Sequence, residues 1–268
     1  MRTRGAGGDG GRAGHGTREV ELKFGVAGPL SFEALLAVLG ECPRASLGEC
    51  PPARAVRQVN HFFDTDGFDL SRRGIALRLR EEAGRFVLCA KGERPGAPAG
   101  PLTIRGEEEL EVAAALAGPV LCGTQDVRAL FPGADPGRDS LWERIRGLAR
   151  DVELRRVGAF ENERRRVGPY RLEAGGDELE ITFELDRTTL PDGRCDFEIE
   201  VELEESADAA AARRALEELL RAAGVEWKVV ASKAARFFAA LGLPGPAVRD
   251  ETSACGRHGP RESRPWAG

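Results

Sequence analysis

No stretch of this 268-residue sequence is apolar enough to cross a membrane. A membrane-spanning helix needs about 18 or more consecutive apolar residues, and no run in the chain approaches that length. The first sixteen residues are rich in glycine and arginine, which argues against a secretory signal peptide. These absences predict a cytoplasmic protein that has no membrane partner.

The sequence also lacks the cysteine and histidine patterns of several classes of site. None of the six cysteines belongs to a Cys-x-x-Cys pair, and none has a histidine at metal-ligand spacing. We therefore expect scattered reduced thiols, as is usual in cytosolic proteins. The whole chain has three histidines, and no serine or histidine triad is visible.

An excess of positive charge is missing as well. The chain has 39 basic and 44 acidic side chains, which gives a formal net charge of -5. This balance lacks the basic surface with which proteins bind nucleic acid, so we predict no nucleic-acid partner. Hydrophobic residues make up 41% of the chain, which is enough for a buried core.

Neither end of the chain has a periodic apolar pattern, so we predict disordered segments at 1–17 and 243–268 and a single domain at 18–242. Alternating apolar and polar residues predict strands at 19–26, 56–64, 74–81, 85–92, 151–167, 178–187 and 196–204, and a further strand that follows the loop at 93–101 and ends at 112. Capping signals predict helices at 31–39, 139–148, 207–223 and 233–241, the last two with Ser206 and Ser232 as N-caps. Single strands and hairpins separate the helices. We therefore predict an α+β fold with a mainly antiparallel sheet or barrel and helices packed outside it.

The charged residues of these strands are sorted by sign. Residues two apart in a strand share a face, and on this basis four strands have acidic faces and two have basic ones. The acidic faces are Glu19 and Glu21; Glu107, Glu109 and Glu111; Glu180, Glu184 and Asp186; and Asp196, Glu198, Glu200, Glu202 and Glu204. The basic faces are Arg78 with Arg80 and Arg164 with Arg166. We expect Glu198 and Glu204, at the ends of their row, to be solvated.

For any one of these strands, an ordinary sheet face in water is a sufficient explanation. It is a poorer one for all six, because like charges side by side on a sheet repel. Rows of carboxylates are typical of sites that bind divalent cations, and rows of arginines are typical of sites that bind phosphate. Together they indicate a phosphoryl-transfer site. An eight-stranded antiparallel barrel would enclose both kinds of row around one small ligand.

Several short blocks, in this order, resemble the CYTH or triphosphate tunnel family. The Glu-x-Glu-x-Lys block at Glu19–Lys23 is its N-terminal signature. The other blocks are HFFDT at 61–65, GIALRLRE at 74–81, FVLCAKG at 86–92, RGEEELEV at 105–112, FELD at 183–186, IEVELE at 199–204 and SKAARF at 232–237. One such block is weak evidence, but an ordered set is specific. The resemblance extends over roughly 18–242 and implies a triphosphate tunnel.

The resemblance also implies roles for particular residues. Mg²⁺ or Mn²⁺ would be held by Glu19, Glu21, Asp186, Glu200 and Glu202, with Glu109 and Glu111 completing the acidic wall. The triphosphate would contact Lys23, Arg78, Arg80, Lys91, Arg164 and Lys233, of which Lys23, Arg80 and Lys233 would act in catalysis. Two departures stand out. Relatives often have Lys-x-Arg where this chain has Asn162-Glu163-Arg164. In addition, Arg105 lies too far from Glu109 for the family spacing, so Arg105 is not included among the predicted site residues.

The family resemblance predicts a metal-dependent hydrolase that removes the terminal phosphate of an inorganic or organic triphosphate. Tripolyphosphate, thiamine triphosphate and ATP are the candidate substrates. Two alternatives stay open. One is a class IV adenylyl cyclase that makes cyclic AMP from ATP, and the other is a non-catalytic module that binds polyphosphate or nucleotides. The sequence does not distinguish the metals or predict the oligomeric state.

Overall fold

The computed structural model describes residues 17–40, 54–93, 101–134, 140–174, 177–204 and 207–245. The predicted disordered segments fall almost entirely outside these ranges. The described strands are β1 (Thr17–Val26), β2 (Val56–Asp64), β3 (Ile75–Glu82), β4 (Arg85–Glu93), β5 (Leu102–Val112), β6 (Arg155–Ala174), β7 (Asp177–Thr189), β8 (Cys195–Leu203) and β9 (Trp227–Lys228). The described helices are α1 (Pro29–Gly40), α2 (Ala114–Leu121), α3 (Leu141–Leu148), α4 (Ala209–Ala222) and α5 (Lys233–Ala240).

Eight of the strands form a closed antiparallel barrel. Their order is β5-β4-β3-β2-β6-β7-β8-β1, and β1 pairs with β5 to close it. The first strand therefore lies between two partners that are distant in sequence: Val20 is opposite Leu203 on one side and Ile104 on the other. The short strand β9 pairs with the end of β1. This confirms the predicted α+β fold with an antiparallel eight-stranded barrel.

The hydrophobic core lies outside the barrel wall, between the strands and the helices. Apolar residues of β1, β7 and β8 pack with α1 and α4, whereas those of β3 and β4 pack with α2 and α3. Leu22 and Leu79, for example, are fully buried on the outward face. Alternation along each strand then directs the intervening polar residues into the barrel.

Helix α5 covers one end of the barrel. Its Phe237 and Phe238 pack on the inward-facing Phe62 and Phe160, and the rings of Phe62 and Phe237 stack with centroids 4.6 Å apart. A Cβ atom on Gly158 would lie 3.1 Å from the ring of Phe237, so a larger residue here would require the ring to shift by a few tenths of an ångström. The α5 helix begins after Ser232, whose hydroxyl accepts from the backbone N–H of Ala235.

The structure differs from the sequence prediction in several element boundaries. Asp208 caps α4, since its carboxylate accepts from two backbone N–H groups; Ser206 lies outside the described residues. Strand β6 continues beyond the predicted end, because the chain forms a bulge at Gly168 and resumes pairing at Tyr170. Helix α2 contains Pro119 and was not predicted. None of the helices in the described ranges is long and apolar enough to cross a membrane.

Candidate functional site

The barrel encloses a cavity of about 400 Å³ that is lined mainly by charged side chains. The basic side chains are Lys23, Arg78, Arg80, Lys91, Arg105, Arg164, Arg166 and Lys233. The carboxylates are Glu19, Glu21, Glu107, Glu109, Glu184, Glu200 and Glu202. Phosphate and a metal ion are the ligands that suit such a mixture of cations and hard oxygen donors.

Barrel closure gathers the charges into two facing arcs. The carboxylates come from β7, β8, β1 and β5, four consecutive strands in the closed sheet; we refer to them as the acidic arc. The lysine and arginines from β4, β3 and β6 form the basic arc, and β2 between β3 and β6 supplies the amides of Gln58 and Asn60. A ligand in the cavity would therefore have positive charge on one side and negative charge on the other.

The centre of the acidic arc carries unbalanced negative charge. Glu21 and Glu202 are cross-strand neighbours on β1 and β8. The pKa of Glu21 is raised to about 7, first by burial and then by Glu200 and Glu19, against the opposing effect of Lys23. Burial, followed by Glu19, also raises the pKa of Glu202. Cations at this position would relieve the repulsion among the carboxylates.

Where the acidic arc meets β6 and α5, two carboxylates and two cations form a dense network, which we call the inner network. Its members are Asp186, Glu200, Arg164 and Lys233. Arg164 donates from Nε to Asp186 Oδ1 at 2.8 Å and from Nη2 to Glu200 Oε2 at 2.8 Å. Lys233 Nζ lies 2.8 Å from Asp186 Oδ2 and 2.5 Å from Glu200 Oε1. Burial opposes the charge on Glu200, but Lys23, Lys233 and Arg164 outweigh it and hold the pKa of that carboxyl well below its usual range. These cations therefore keep the inner carboxylates ionised.

On β3 and β4 of the basic arc, two of the three cations that line the cavity are paired and one is not. Lys91 Nζ lies 2.8 Å from Glu19 Oε1 and 3.1 Å from Glu107 Oε2, and Arg80 Nη2 donates to Glu109 at 3.3 Å. Arg78 forms no ion pair within 4.0 Å among the described residues, and its Nε atom is buried without a hydrogen-bond partner there. Its guanidinium is thus available to an anion in the cavity.

Most of the sequence-predicted site residues come together in this cavity. Those that line it are Glu19, Glu21, Lys23, Arg78, Arg80, Lys91, Glu109, Arg164, Glu200, Glu202 and Lys233. Asp186 is fully buried behind Arg164 and Lys233. Both arginines of the basic face of β6, Arg164 and Arg166, line the cavity. The metal and substrate roles predicted for these residues remain predictions.

Glu111 is not part of the cavity lining. It lies near the end of β5, its side chain is 65% exposed, and it accepts from Arg85 Nε at 3.1 Å. Besides Glu109, the residues on β5 that line the cavity are Glu107 and Arg105, the arginine that the sequence analysis set aside. Alternate glutamates in one strand look equivalent in the sequence. They differ in what lies opposite them on β4, which is Lys91 for Glu107 and Val87 for Glu111.

Sequence reasoning also missed uncharged residues that support the charged ones. The Asn162 amide donates to both Gln58 Oε1 and Asp186 Oδ1 at 3.0 Å, and Gln58 donates to Glu82 at 2.7 Å. A search for charged residues overlooks amides. The spacing of two residues between Asn162 and Arg164 nevertheless indicates that both side chains lie on the same face of the strand. Thus Asn162 helps to hold Asp186 in place.

Glu198 was expected in solvent but is fully buried. Its Oε2 atom lies 3.0 Å from Lys233 Nζ and 2.6 Å from Arg236 Nη2. The prediction was wrong because α5 covers this end of β8, which its position in the sequence does not indicate. Glu204, at the other end of the row, is exposed as expected.

One group of side chains on β4 and β5 has the spacing of a metal site. The ligand atoms of Cys89, Glu107 and Glu109 all lie within 4.8 Å of one another. Burial raises the pKa of the Cys89 thiol to about 12, so the sulfur is protonated and donates to Glu107 Oε1 at 3.1 Å. In this arrangement the thiol acts as a hydrogen-bond donor.

Comparisons with known proteins agree with this architecture. A putative adenylyl cyclase from Hippeastrum, described as having a dominant triphosphatase activity, is 26% identical, with a TM-score of 0.63 over 82% of this chain and 95% of that one. A putative adenylate cyclase from Bacillus halodurans is 21% identical, with a TM-score of 0.56 over 82% of this chain and 98% of that one, and supports the fold. A comparison with curated proteins finds no match. The model of the CYTH domain matches residues 17–238, and the chain therefore belongs to the CYTH family.

Proposed function

We propose that this protein is a divalent-metal-dependent hydrolase that removes the terminal phosphate of a triphosphate. The observation that carries the proposal is the pair of facing arcs, which offers guanidinium and ammonium groups to a polyanion on one side and carboxylates to cations on the other. The triphosphatase activity described for the Hippeastrum relative supports the same reaction class.

The basic arc would bind the phosphate groups. Arg78 has no ion pair among the described residues, so an incoming phosphate does not have to displace a carboxylate from it. Arg80 and Arg164 bring further planar guanidinium groups, which can donate two parallel hydrogen bonds to phosphate oxygens. Such donors stabilise the charge that develops on the transferred group. The guanidinium groups of the basic arc therefore favour a ligand that consists mostly of phosphate.

The acidic arc fits Mg²⁺ or Mn²⁺. Glu19, Glu21 and Glu202 are the carboxylates that would hold the ion, because the raised pKa values of Glu21 and Glu202 mark the place where a cation relieves most repulsion. The predicted ligands Asp186, Glu200 and Glu109 accept from cations in the structure. When bound, the metal would neutralise phosphate charge and make water a better nucleophile.

The lysines of the cavity would stabilise charge. Although burial opposes it, the carboxylates of Asp186, Glu198 and Glu200 raise the pKa of Lys233 above its usual value. Lys233 therefore stays protonated and suits contact with a phosphate oxygen better than proton removal. Lys23 lies 3.0 Å from Glu21 and 2.9 Å from Glu200, between the proposed metal ligands and the inner network. We propose that it orients these two carboxylates.

A phosphate-release screen tests the proposal. Tripolyphosphate, thiamine triphosphate and ATP are each incubated with Mg²⁺, with Mn²⁺ or with EDTA, and cyclic AMP is measured in parallel. We expect metal-dependent phosphate release that is fastest from tripolyphosphate, with no cyclic AMP. Cyclic AMP as the main product would identify a cyclase. Tight triphosphate binding without any product would identify a binding module.

A further inference from the structure

Arg236 connects helix α5 to strand β8 through two carboxylates. Its guanidinium lies 2.6 Å from Glu198 through Nη2 and pairs with Asp196 through Nη1, and its Nε atom donates to the Ala231 carbonyl at 3.1 Å. Asp196 and Glu198 are two apart and share one face of β8. Arg236 follows Lys233 by three positions, so both project from the same side of the helix.

Glu198 is shared between these two basic residues. The carboxylate is fully buried, and its Oε2 atom lies near Lys233 Nζ at 3.0 Å as well as near Arg236. Neither of its oxygens makes a hydrogen bond within the described residues, so the contacts of Oε2 with the two cations are ion pairs. A buried carboxylate is costly unless cations compensate it. Without Arg236, Lys233 would be the sole cation within ion-pair distance of Glu198 in the described part of the chain.

The position of the Lys233 ammonium depends on how strongly Glu198 attracts it. Lys233 is the first residue of α5, where the helix dipole disfavours a cation, so its place is set by carboxylates. Asp186 and Glu200 draw the ammonium toward the cavity network, at 2.8 and 2.5 Å, whereas Glu198 is shared with Arg236. Removing Arg236 would leave the full charge of Glu198 to Lys233 and draw the ammonium toward it.

We propose that Arg236 is a positioning residue that holds the Lys233 ammonium in the cavity by neutralising Glu198. The kinetic consequence rests on the proposed function, in which Lys233 contacts the triphosphate. The placement of the ammonium does not depend on that function. The two consequences are therefore measured separately.

The variants are Arg236→Gln, Arg236→Lys, Glu198→Gln and the double variant Arg236→Gln/Glu198→Gln. Arg213→Gln is the matched control, because Arg213 also pairs with a carboxylate, Glu217 at 2.7 Å, but on α4 outside the barrel. For each variant, kcat and KM for tripolyphosphate, the melting temperature and the ¹⁵N side-chain signals of the lysines are measured. The chain has four lysines, so the Lys233 signal is assigned by its loss in Lys233→Arg.

We expect Arg236→Gln to lower kcat about 10- to 100-fold, the range typical of changes to residues that orient the ligands of a metal site. KM should change much less, and the Lys233 signal should move while that of Lys228 does not. Arg236→Lys should recover part of kcat, since it keeps one cation beside Glu198. The double variant should be no slower than Glu198→Gln alone, because Arg236 acts through Glu198.

An unchanged Lys233 signal in Arg236→Gln would overturn the proposal, as would a loss of activity that only follows the loss of folded protein. Phe237 and Phe238 are buried at the barrel end, so α5 is expected to remain docked in the variant. If Arg236→Gln does not fold, Arg236→Lys decides by the same two readouts. If the wild-type protein hydrolyses no triphosphate, the proposed function fails, and the Lys233 signal still decides the role of Arg236.

Discussion

Replacing Lys91 with methionine removes the ammonium group that joins Glu19 to Glu107. In the structure its Nζ atom lies 2.8 Å from Glu19 and 3.1 Å from Glu107. Burial works against the ammonium, but these two carboxylates outweigh it and raise the pKa of Lys91 above its usual value. The variant would therefore bring two mostly buried carboxylates together without their shared cation.

The expected loss of stability follows from this geometry. Breaking a buried ion pair on one side costs about 3–5 kcal/mol. The side chains of Lys91, Glu19 and Glu107 are 19%, 12% and 14% exposed, so solvent screens them in part and we expect the lower end, about 3 kcal/mol. For a protein of this size, that corresponds to a fall in melting temperature of about 6–12 °C.

Thermal unfolding in EDTA and at increasing Mn²⁺ concentration measures both the loss and its recovery. Lys228→Met is the matched control, because Lys228 is exposed and is the one lysine of the chain that does not line the cavity. Surface changes of this kind are usually worth less than about 0.5 kcal/mol. Mn²⁺ should stabilise Lys91→Met more than the wild type, since the metal replaces the missing positive charge beside Glu19.

Two results would refute this reasoning. A Lys91→Met protein as stable as Lys228→Met in EDTA would mean that the pairs with Glu19 and Glu107 contribute nothing net. Equal stabilisation of the wild type and Lys91→Met by Mn²⁺ would mean that the ammonium and the metal do not compete for the same charge. The second result would weaken the proposed metal site even if the first prediction succeeded.

Three further predictions test other parts of the molecule. Glu202→Gln removes a carboxylate whose pKa is raised by burial and by nearby glutamates. Calorimetry should therefore show at least about tenfold weaker Mn²⁺ binding, with no loss of stability in EDTA. Unchanged affinity would exclude Glu202 as a ligand. Arg80→Ala should lower kcat by about 100-fold or more, and Arg80→Lys should recover part of this loss. The control Arg85→Ala changes an arginine outside the cavity and should remain active. Equal effects of Arg80→Ala and Arg85→Ala would contradict a phosphate-binding role of Arg80. Burial, with Arg156, lowers the pKa of His61 below 6.5, so its neutral form stabilises the fold fully above pH 6.5 and this contribution is lost as the pH falls below that value. His61→Phe should therefore show a smaller drop in unfolding free energy between pH 7 and pH 5 by urea denaturation, and an identical pH slope would refute the role of His61.

Local patterns in the chain were sufficient to predict most of the elements. The strand at 56–64 was predicted with the bounds that β2 has, and Ser232 caps α5 as expected. These successes have a physical basis, because alternation and capping are decided by neighbouring residues. The misses arose where the local signal is ambiguous. Gly168 and Pro169 look like the end of a strand, but a bulge lets β6 continue past them.

The sequence by itself determined which side chains share a face, and therefore that acidic and basic rows exist. Only the tertiary structure decided which rows are neighbours, because β1 pairs with β8 and with β5 through contacts between distant parts of the chain. This closure places Glu21 beside Glu202, and within the sheet Glu107 lies opposite Lys91 in the cavity lining, whereas Glu111 lies outside that lining. The docking of α5 on the barrel end likewise buries Glu198 between Lys233 and Arg236. A two-residue period specifies the face of a strand but carries no information about the strand beside it, which depends on how the whole sheet closes.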